Sequence, residues 1–222
     1  MNTNAALHAV DGQLTPNNIL DEKLLSVITR THRSEFVPEA YKHAAYVDQP
    51  IEIAQDRMLL PPLTVGLLLK YAELTAKHRV LYVAGGYGYG PALVAAFSKQ
   101  VCAVEVSGEA SEHARLYFSQ NRKLPVDVFT GALSTGHPES APYDRIIIEG
   151  GVQQLPQGLL DQLVEGGICV GIEVRAKVGD KATQLGQLTT WHKRGDSMVK
   201  HGYGDVFAPL LPGFEAAEQF SL

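Results

Sequence analysis

Three features of the sequence predict an α/β fold with a mostly parallel central sheet and helices on both of its faces. From Arg79 onward, short apolar runs alternate with stretches of helical periodicity, the signature of strand–helix–strand units. The first apolar run, Val80-Leu81-Tyr82-Val83, breaks abruptly into Gly85, Gly86, Gly88 and Gly90. The second run, VCAVEV, carries Glu105 close to its end. A strand that feeds a glycine turn and then a helix presents backbone N–H groups to a ligand at the carboxyl ends of the strands. Glycines needed only for backbone geometry would leave the same letters, so the turn alone names no ligand.

Taken in order, residues 1 to about 14 are polar and mixed and read as a mobile start or a frayed helix. Asp21 is placed to cap a helix in which Leu24, Leu25, Val27 and Ile28 recur at helical spacing, ending near His32. Residues 44–53 form an irregular segment with a short strand, and 55–62 a loop. After Pro61-Pro62 an apolar helix over 63–74 leaves Lys70 and Glu73 exposed. The centre then gives strands at 79–83, 101–106, 126–129, 145–148 and 167–174. Helices lie between them from about Pro91 to Ser98, from about Gly108 to Gln120 and over 156–163. Beyond Val174 the pattern changes: 184–192 alternates as a strand and 205–211 is a further strand. Both are expected as antiparallel additions at the sheet edge. The chain divides into a helical and loop extension over 1–76 that covers the cleft, and a Rossmann-like unit over 77–222, together one compact body.

Composition narrows the function. The chain has 222 residues, 45% hydrophobic and 19% charged, with a net charge of −5, which suits a soluble domain with a sizeable core. No Lys/Arg run supplies the basic face that a nucleic acid requires. No basic start followed by an apolar stretch resembles a secretory signal, and no apolar run is long enough to span a bilayer, so a cytoplasmic protein is expected. Cys102 and Cys169 lie in apolar strand runs and read as buried free thiols in a reducing compartment. The eight histidines are scattered without metal-ligand spacing, so no metal site is assigned.

Four groups of residues could carry chemistry. Glu105, at a strand end beyond the glycine turn, can accept from two vicinal ribose hydroxyls at once; otherwise it is an exposed strand-end charge. Gly131-Ala132-Leu133 follows the third strand beside the same crevice, where its backbone could touch an adenine ring, or be a plain loop. Glu149 follows the fourth strand. A carboxylate there can face a cationic ligand centre or act as a base, or it is salt-bridged to Arg145 or Arg175, or solvated. Gln55-Asp56-Arg57 lies in a loop that could cover the cleft, or be a solvated surface loop. Tyr87 and Tyr89 flank the glycines, to stack on a ligand or to fill the space where one would lie.

Several motifs then fall into one order. RSEFVPE (Arg33 to Glu39), AYVDQPIEI (Ala45 to Ile53), LYVAGGYGYGPALVA, APYDRIIIEGGVQQLPQGLLDQLVEGG and DVFAPLLPG together resemble the protein-L-isoaspartate O-methyltransferases, from about Leu20 to Gly213. The resemblance implies a Rossmann-like class I methyltransferase fold with S-adenosyl-L-methionine as cofactor. It also implies methyl transfer to the side-chain carboxylate formed when aspartyl or asparaginyl residues isomerise, which is protein repair. The acceptor would be a protein or peptide, with no nucleic acid and no membrane, and a monomer is favoured. Carried over residue by residue, the cofactor would meet Ala84, Gly86, Gly88, Glu105, Ala132, Leu133 and Glu149, and the substrate Asp56 and Arg57.

The departures from the family pattern are specific. Leu60 stands where the family has a serine near the transferred methyl group, so no residue is assigned a catalytic role. Tyr82 replaces an acidic residue, Ala84 the first glycine of the turn and Tyr87 a small serine. Ala132 takes the place of an aspartate, and Glu149 that of a neutral residue. Two alternatives follow: a methyltransferase of the same fold with a different acceptor, or a non-catalytic binding or scaffold protein that has lost the cofactor.

Overall fold

A computed structural model describes residues 2–106, 108–174 and 183–216. Seven strands form one sheet in the order β5-β4-β3-β6-β7-β8-β9. The strands are β3 (Arg79–Val83), β4 (Gln100–Glu105), β5 (Val126–Thr130), β6 (Tyr143–Val152), β7 (Leu163–Val174), β8 (Gln184–Arg194) and β9 (Ser197–Ala208). From β5 through β7 all neighbours pair in parallel, and β8 and β9 add antiparallel at one edge, as the sequence patterns predict. Chain order runs outward from β3 in both directions, so the topological switch falls between β3 and β6, where ligands bind in open α/β sheets.

Alternation along each strand sends its side chains to two cores. Val80, Tyr82 and Ile147 face one side, packed with Leu93 of α4 (Tyr89–Ala95) and with Leu14, Ile19, Ile28 and Phe36 from the N-terminal segment. Leu81, Val83, Ile146, Ile148 and Cys169 face the other, against Leu159, Leu211 and Phe214. Helix α3 (Pro62–Tyr71) covers the first face and α5 (Gly108–Gln120) follows β4. Helix α6 (Gln157–Leu160) is shorter than the 156–163 pattern suggests. Cys102 and Cys169 are free and buried, as expected.

Three expectations are corrected. The first residues are not a frayed start: α1 (Asn2–Ala9) and the turn Val10–Leu14 bury Ala6, Ala9, Val10 and Leu14. Most of their apolar residues lie on the packed side, with Leu7 exposed, and a polar average conceals that side. Residues 55–62 are not a plain loop. β1 (Ile51–Ala54) and β2 (Arg57–Leu59) form an antiparallel hairpin whose tip, Asp56, has a left-handed φ of 56°. The last strand spans 197–208 rather than 205–211, because β9 pairs with β8 across a tight turn at Gly195. Helix α2 (Glu22–Arg30) starts where predicted: Asp21 Oδ1 accepts from Leu24 N at 2.6 Å. Asp21→Ala removes that cap and is expected to cost about 1 kcal/mol of unfolding free energy in denaturant titrations.

Candidate functional site

Strand register alone assembles the site. Val83 pairs with Val104 on one side and with Ile148 on the other. The next residue of each strand therefore lies at the same level: Ala84 in the middle, Glu105 on β4 and Glu149 on β6. Glu149 lies inside β6 rather than just after it, within a register irregularity between Ile147 and Gly151. Such an irregularity re-aims a side chain. Two carboxylates thus flank the first residue of the glycine turn. The turn itself needs left-handed backbone at Ala84 (φ 66°), Gly86 (φ 55°) and Gly88 (φ 105°). At Ala84 that conformation is strained, which is why glycine suits the position better.

Both carboxylates are buried, Glu105 at 2% and Glu149 at 1% exposure, and each is matched by a different partner. Glu105 is gripped by Arg57 of the hairpin. Arg57 Nε donates to Oε1 at 2.8 Å and Nη2 to Oε2 at 3.0 Å. Gly86 N donates to Oε2 and Val106 N to Oε1, each at 2.8 Å. Arg57 Nη2 also reaches Ala84 O at 3.0 Å. The solvated-loop alternative for residues 55–57 therefore fails at Arg57, which is 1% exposed, although Gln55 and Asp56 are exposed. The hairpin is held down over the turn, since a Cβ at Gly86 would overlap Ile53 Cδ1.

Glu149 is held by Tyr82, whose hydroxyl donates to Oε2 at 2.7 Å. The pair packs under the first turn of α4, where a Cβ on Gly90 would overlap the Tyr82 hydroxyl. Arg33, fully buried, completes the network from the N-terminal segment. Its Nε donates to Ala45 O at 2.6 Å, its Nη2 to Leu60 O, and its guanidinium lies 4.9 Å from the Tyr89 ring centre. Burial raises the Glu149 carboxyl to about 7, with the Tyr82 hydrogen bond, Arg33, Arg57 and the Leu60 backbone opposing that rise. The rival partner Arg145 is committed elsewhere, to Ala72 O at 2.7 Å and Asp144 O at 2.8 Å; Arg175 lies outside the described residues.

The remaining candidates divide. Tyr87 neither covers a ligand nor fills the turn: it stacks on His113 at 4.1 Å and donates to Glu109 Oε1 at 3.0 Å. Ala132 is exposed and Leu133 is buried beside the crevice, with Gly131 N bonded to Glu105 O at 3.1 Å. Leu60 is fully buried and offers only backbone groups. Outside Arg57 lies an open groove of about 620 Å³ lined by Asp56, Arg57, Val106, Leu210 and Glu215.

A parallel sheet with its switch point at a glycine turn, and an acidic residue closing the neighbouring strand, defines the Rossmann-like class I methyltransferase fold. The profile of the protein-L-isoaspartate(D-aspartate) O-methyltransferase family matches residues 7–211. The chain is 31% identical over 206 residues to a protein-L-isoaspartate O-methyltransferase of Methanoculleus marisnigri, covering 92% of this chain and 90% of that one. It is 34% identical over 201 residues to a second such protein from Marinobacter nauticus, covering 90% and 89%. A solved protein-L-isoaspartate O-methyltransferase superposes with a TM-score of 0.79 at 21% identity, covering 96% of this chain and 66% of that one. A Plasmodium falciparum beta-aspartate methyltransferase in complex with S-adenosyl-L-homocysteine superposes with a TM-score of 0.75 at 17% identity, covering 95% and 97%. The chain belongs to the protein-L-isoaspartate O-methyltransferase family, whose members depend on S-adenosylmethionine.

Against that family cofactor, the residues as arranged do not fit. A ribose diol needs free lone pairs on the carboxylate closing β4. Both Glu105 oxygens already accept two hydrogen bonds each. Removing one partner of such a buried pair typically costs about 3–5 kcal/mol. Two hydroxyls on a carboxylate return about 1.5–3 kcal/mol each. The two are comparable, but Arg57 is tethered, whereas a free ligand also loses roughly 4–15 kcal/mol of translational and rotational freedom. The tethered guanidinium holds the site unless the rest of the ligand outweighs it.

Neither the Arg57–Glu105 pair nor the Tyr82–Glu149 pair is anticipated by the sequence reading, and Arg33 enters there only as part of a motif. Alternation of Ile51 and Ile53, followed by an arginine flanked by apolar residues, is the signal for the inward-facing hairpin. Glu149 gives a test by pH. An unfolded carboxyl loses its proton near its ordinary value of 4.5, whereas native Glu149 keeps it until about 7. The native state binds more protons in that window, so this group's contribution falls as pH rises through it and is flat above. Glu149→Gln is expected to remove that fall, on the order of a few kcal/mol across the window, in urea titrations from pH 4.5 to 7.5 compared with the wild type.

Proposed function

We propose that this chain functions as a protein-L-isoaspartate O-methyltransferase-like protein. S-adenosylmethionine is the methyl donor, and the acceptor is the side-chain carboxylate of damaged aspartyl residues in a protein or peptide. The observation that carries the reading is the family match along residues 7–211; the glycine turn and Glu105 lie together at the sheet's switch point, which supports it. In this reading Ala84, Gly86 and Gly88 form the cofactor turn, and Glu105 meets the ribose once Arg57 has left it. Ala132 and Leu133 border the base, Glu149 faces the cationic centre, and Asp56 and Arg57 on the hairpin lie towards the substrate. Residues 1–76 form the cover and 77–222 the Rossmann-like unit. The protein would work in the cytoplasm on protein substrates; among the described residues no helix is long and apolar enough to cross a membrane.

A second reading, a non-catalytic binding protein, is favoured by one observation: the guanidinium of Arg57 occupies the carboxylate that the cofactor requires. Leu60 in place of the family serine bears instead on the acceptor. One experiment separates the readings. The protein is incubated with millimolar methyl-labelled S-adenosylmethionine and either an isoaspartyl peptide or its aspartyl counterpart, with binding followed by calorimetry. Base-labile methyl ester on the isoaspartyl peptide is expected. Absence of cofactor binding establishes the non-catalytic reading, and binding without transfer points to a different acceptor.

A further inference from the structure

We infer that Arg57 is an internal latch on the cofactor cleft. Its guanidinium takes the place of the ribose on Glu105, so S-adenosylmethionine or its demethylated product enters only when Arg57 swings out into the groove beside it. The inference rests on the functional reading above and assigns that site its regulation.

Four observations carry it. The Glu105 carboxylate is saturated, and Arg57 supplies two of its four hydrogen bonds, in the bidentate geometry that makes Arg–carboxylate pairs strong. The other two donors, Gly86 N and Val106 N, are backbone groups that remain in place when Arg57 leaves. The carboxylate is thus pre-positioned for whatever replaces the guanidinium. Closure is also imperfect. Arg57 Nη1, Arg33 Nη1 and Glu149 Oε1 are buried without a hydrogen-bond partner, an arrangement that leaves polar capacity unused around the filled cleft. Finally, Arg57 has somewhere to go. It lines the open groove together with Asp56 and Glu215, two carboxylates able to receive a guanidinium in a solvated setting.

The latch acts as an intramolecular competitor. Apparent cofactor affinity is the intrinsic affinity reduced by the fraction of molecules with Arg57 out, so removing the side chain raises affinity without a new contact. Because the guanidinium covers the ribose carboxylate, what is unmasked is recognition of a vicinal diol.

The test compares wild type, Arg57→Gln and Arg57→Ala by calorimetry with S-adenosylhomocysteine, adenosine and 2′-deoxyadenosine. Circular dichroism and thermal unfolding establish that each variant is folded. Arg57→Gln keeps a neutral donor near Glu105 and serves where Arg57→Ala fails to fold. Expected is affinity for S-adenosylhomocysteine raised by about tenfold or more in a folded variant, with adenosine favoured over its 2′-deoxy form in that variant and not in the wild type. Equal affinity in wild type and folded variants overturns the latch, as does absence of binding in all of them. A wild type that transfers no methyl group to an isoaspartyl peptide at saturating S-adenosylmethionine, while its variants bind more tightly, refutes the functional reading and leaves the latch standing. A wild type that transfers methyl and binds as tightly as its variants does the reverse.

Discussion

Two carboxylates placed by strand register on either side of one backbone turn set the terms for the rest of the site. Glu105 is buried at the carboxyl end of β4 and Glu149 within β6, at the same level of the sheet. Buried charge of one sign requires neutralisation, and the chain provides it in two ways. Glu105 is paired with Arg57 in a buried ion pair. Glu149 is pushed towards its neutral form, with Tyr82 donating to it and Arg33 and Arg57 nearby. Because Arg57 comes from the hairpin and Arg33 from the N-terminal segment, the same electrostatic requirement ties those segments to the sheet. The covering segment is fastened through the cleft it covers.

This linkage joins several residues of the cleft in one network. Tyr82 puts a hydrogen-bond donor beside Glu149. Glu149 gives that hydroxyl an acceptor. Arg57 supplies the positive charge for Glu105, and its bond to Ala84 O, with the bond from Ala84 N to Val104 O, holds Ala84 in the left-handed conformation that its side chain disfavours. The changes lie in contact and compensate one another. Tyr87 lies outside this set, stacked on His113 of α5, and its size is accommodated away from the turn.

The parallel sheet, its antiparallel edge and the glycine turn were legible in the sequence, because each rests on local periodicity or on residues that only a few backbone geometries admit. The place of Glu105 at a strand end was legible for the same reason, whereas Glu149 lies inside β6 rather than after it. Their partners were not. Which way Arg57 points depends on a hairpin of two very short strands, and Arg57 and Glu105 are far apart in sequence. The burial of α1 and the turn after it was missed because their polar average hid a packed side containing Ala6, Ala9, Val10 and Leu14. What the sequence conceals here is pairing across long separations, and in this chain that pairing decides whether the cleft is open.

The arrangement also bears on how such a cleft can change within a conserved fold. A cofactor contributes to the stability of its own site only while bound, in proportion to the logarithm of its concentration over its dissociation constant. A buried carboxylate kept for that cofactor is therefore a liability in the free protein. An arginine from the covering hairpin removes the liability while it is seated, and it does so with the same bidentate geometry that makes a carboxylate suitable for a diol. Once that arginine is present, selection on stability and selection on cofactor binding act on the same carboxylate in opposite directions. The Tyr82–Glu149 pair behind it then experiences a cleft that is filled from the hairpin side, and can be tuned for packing rather than for a ligand.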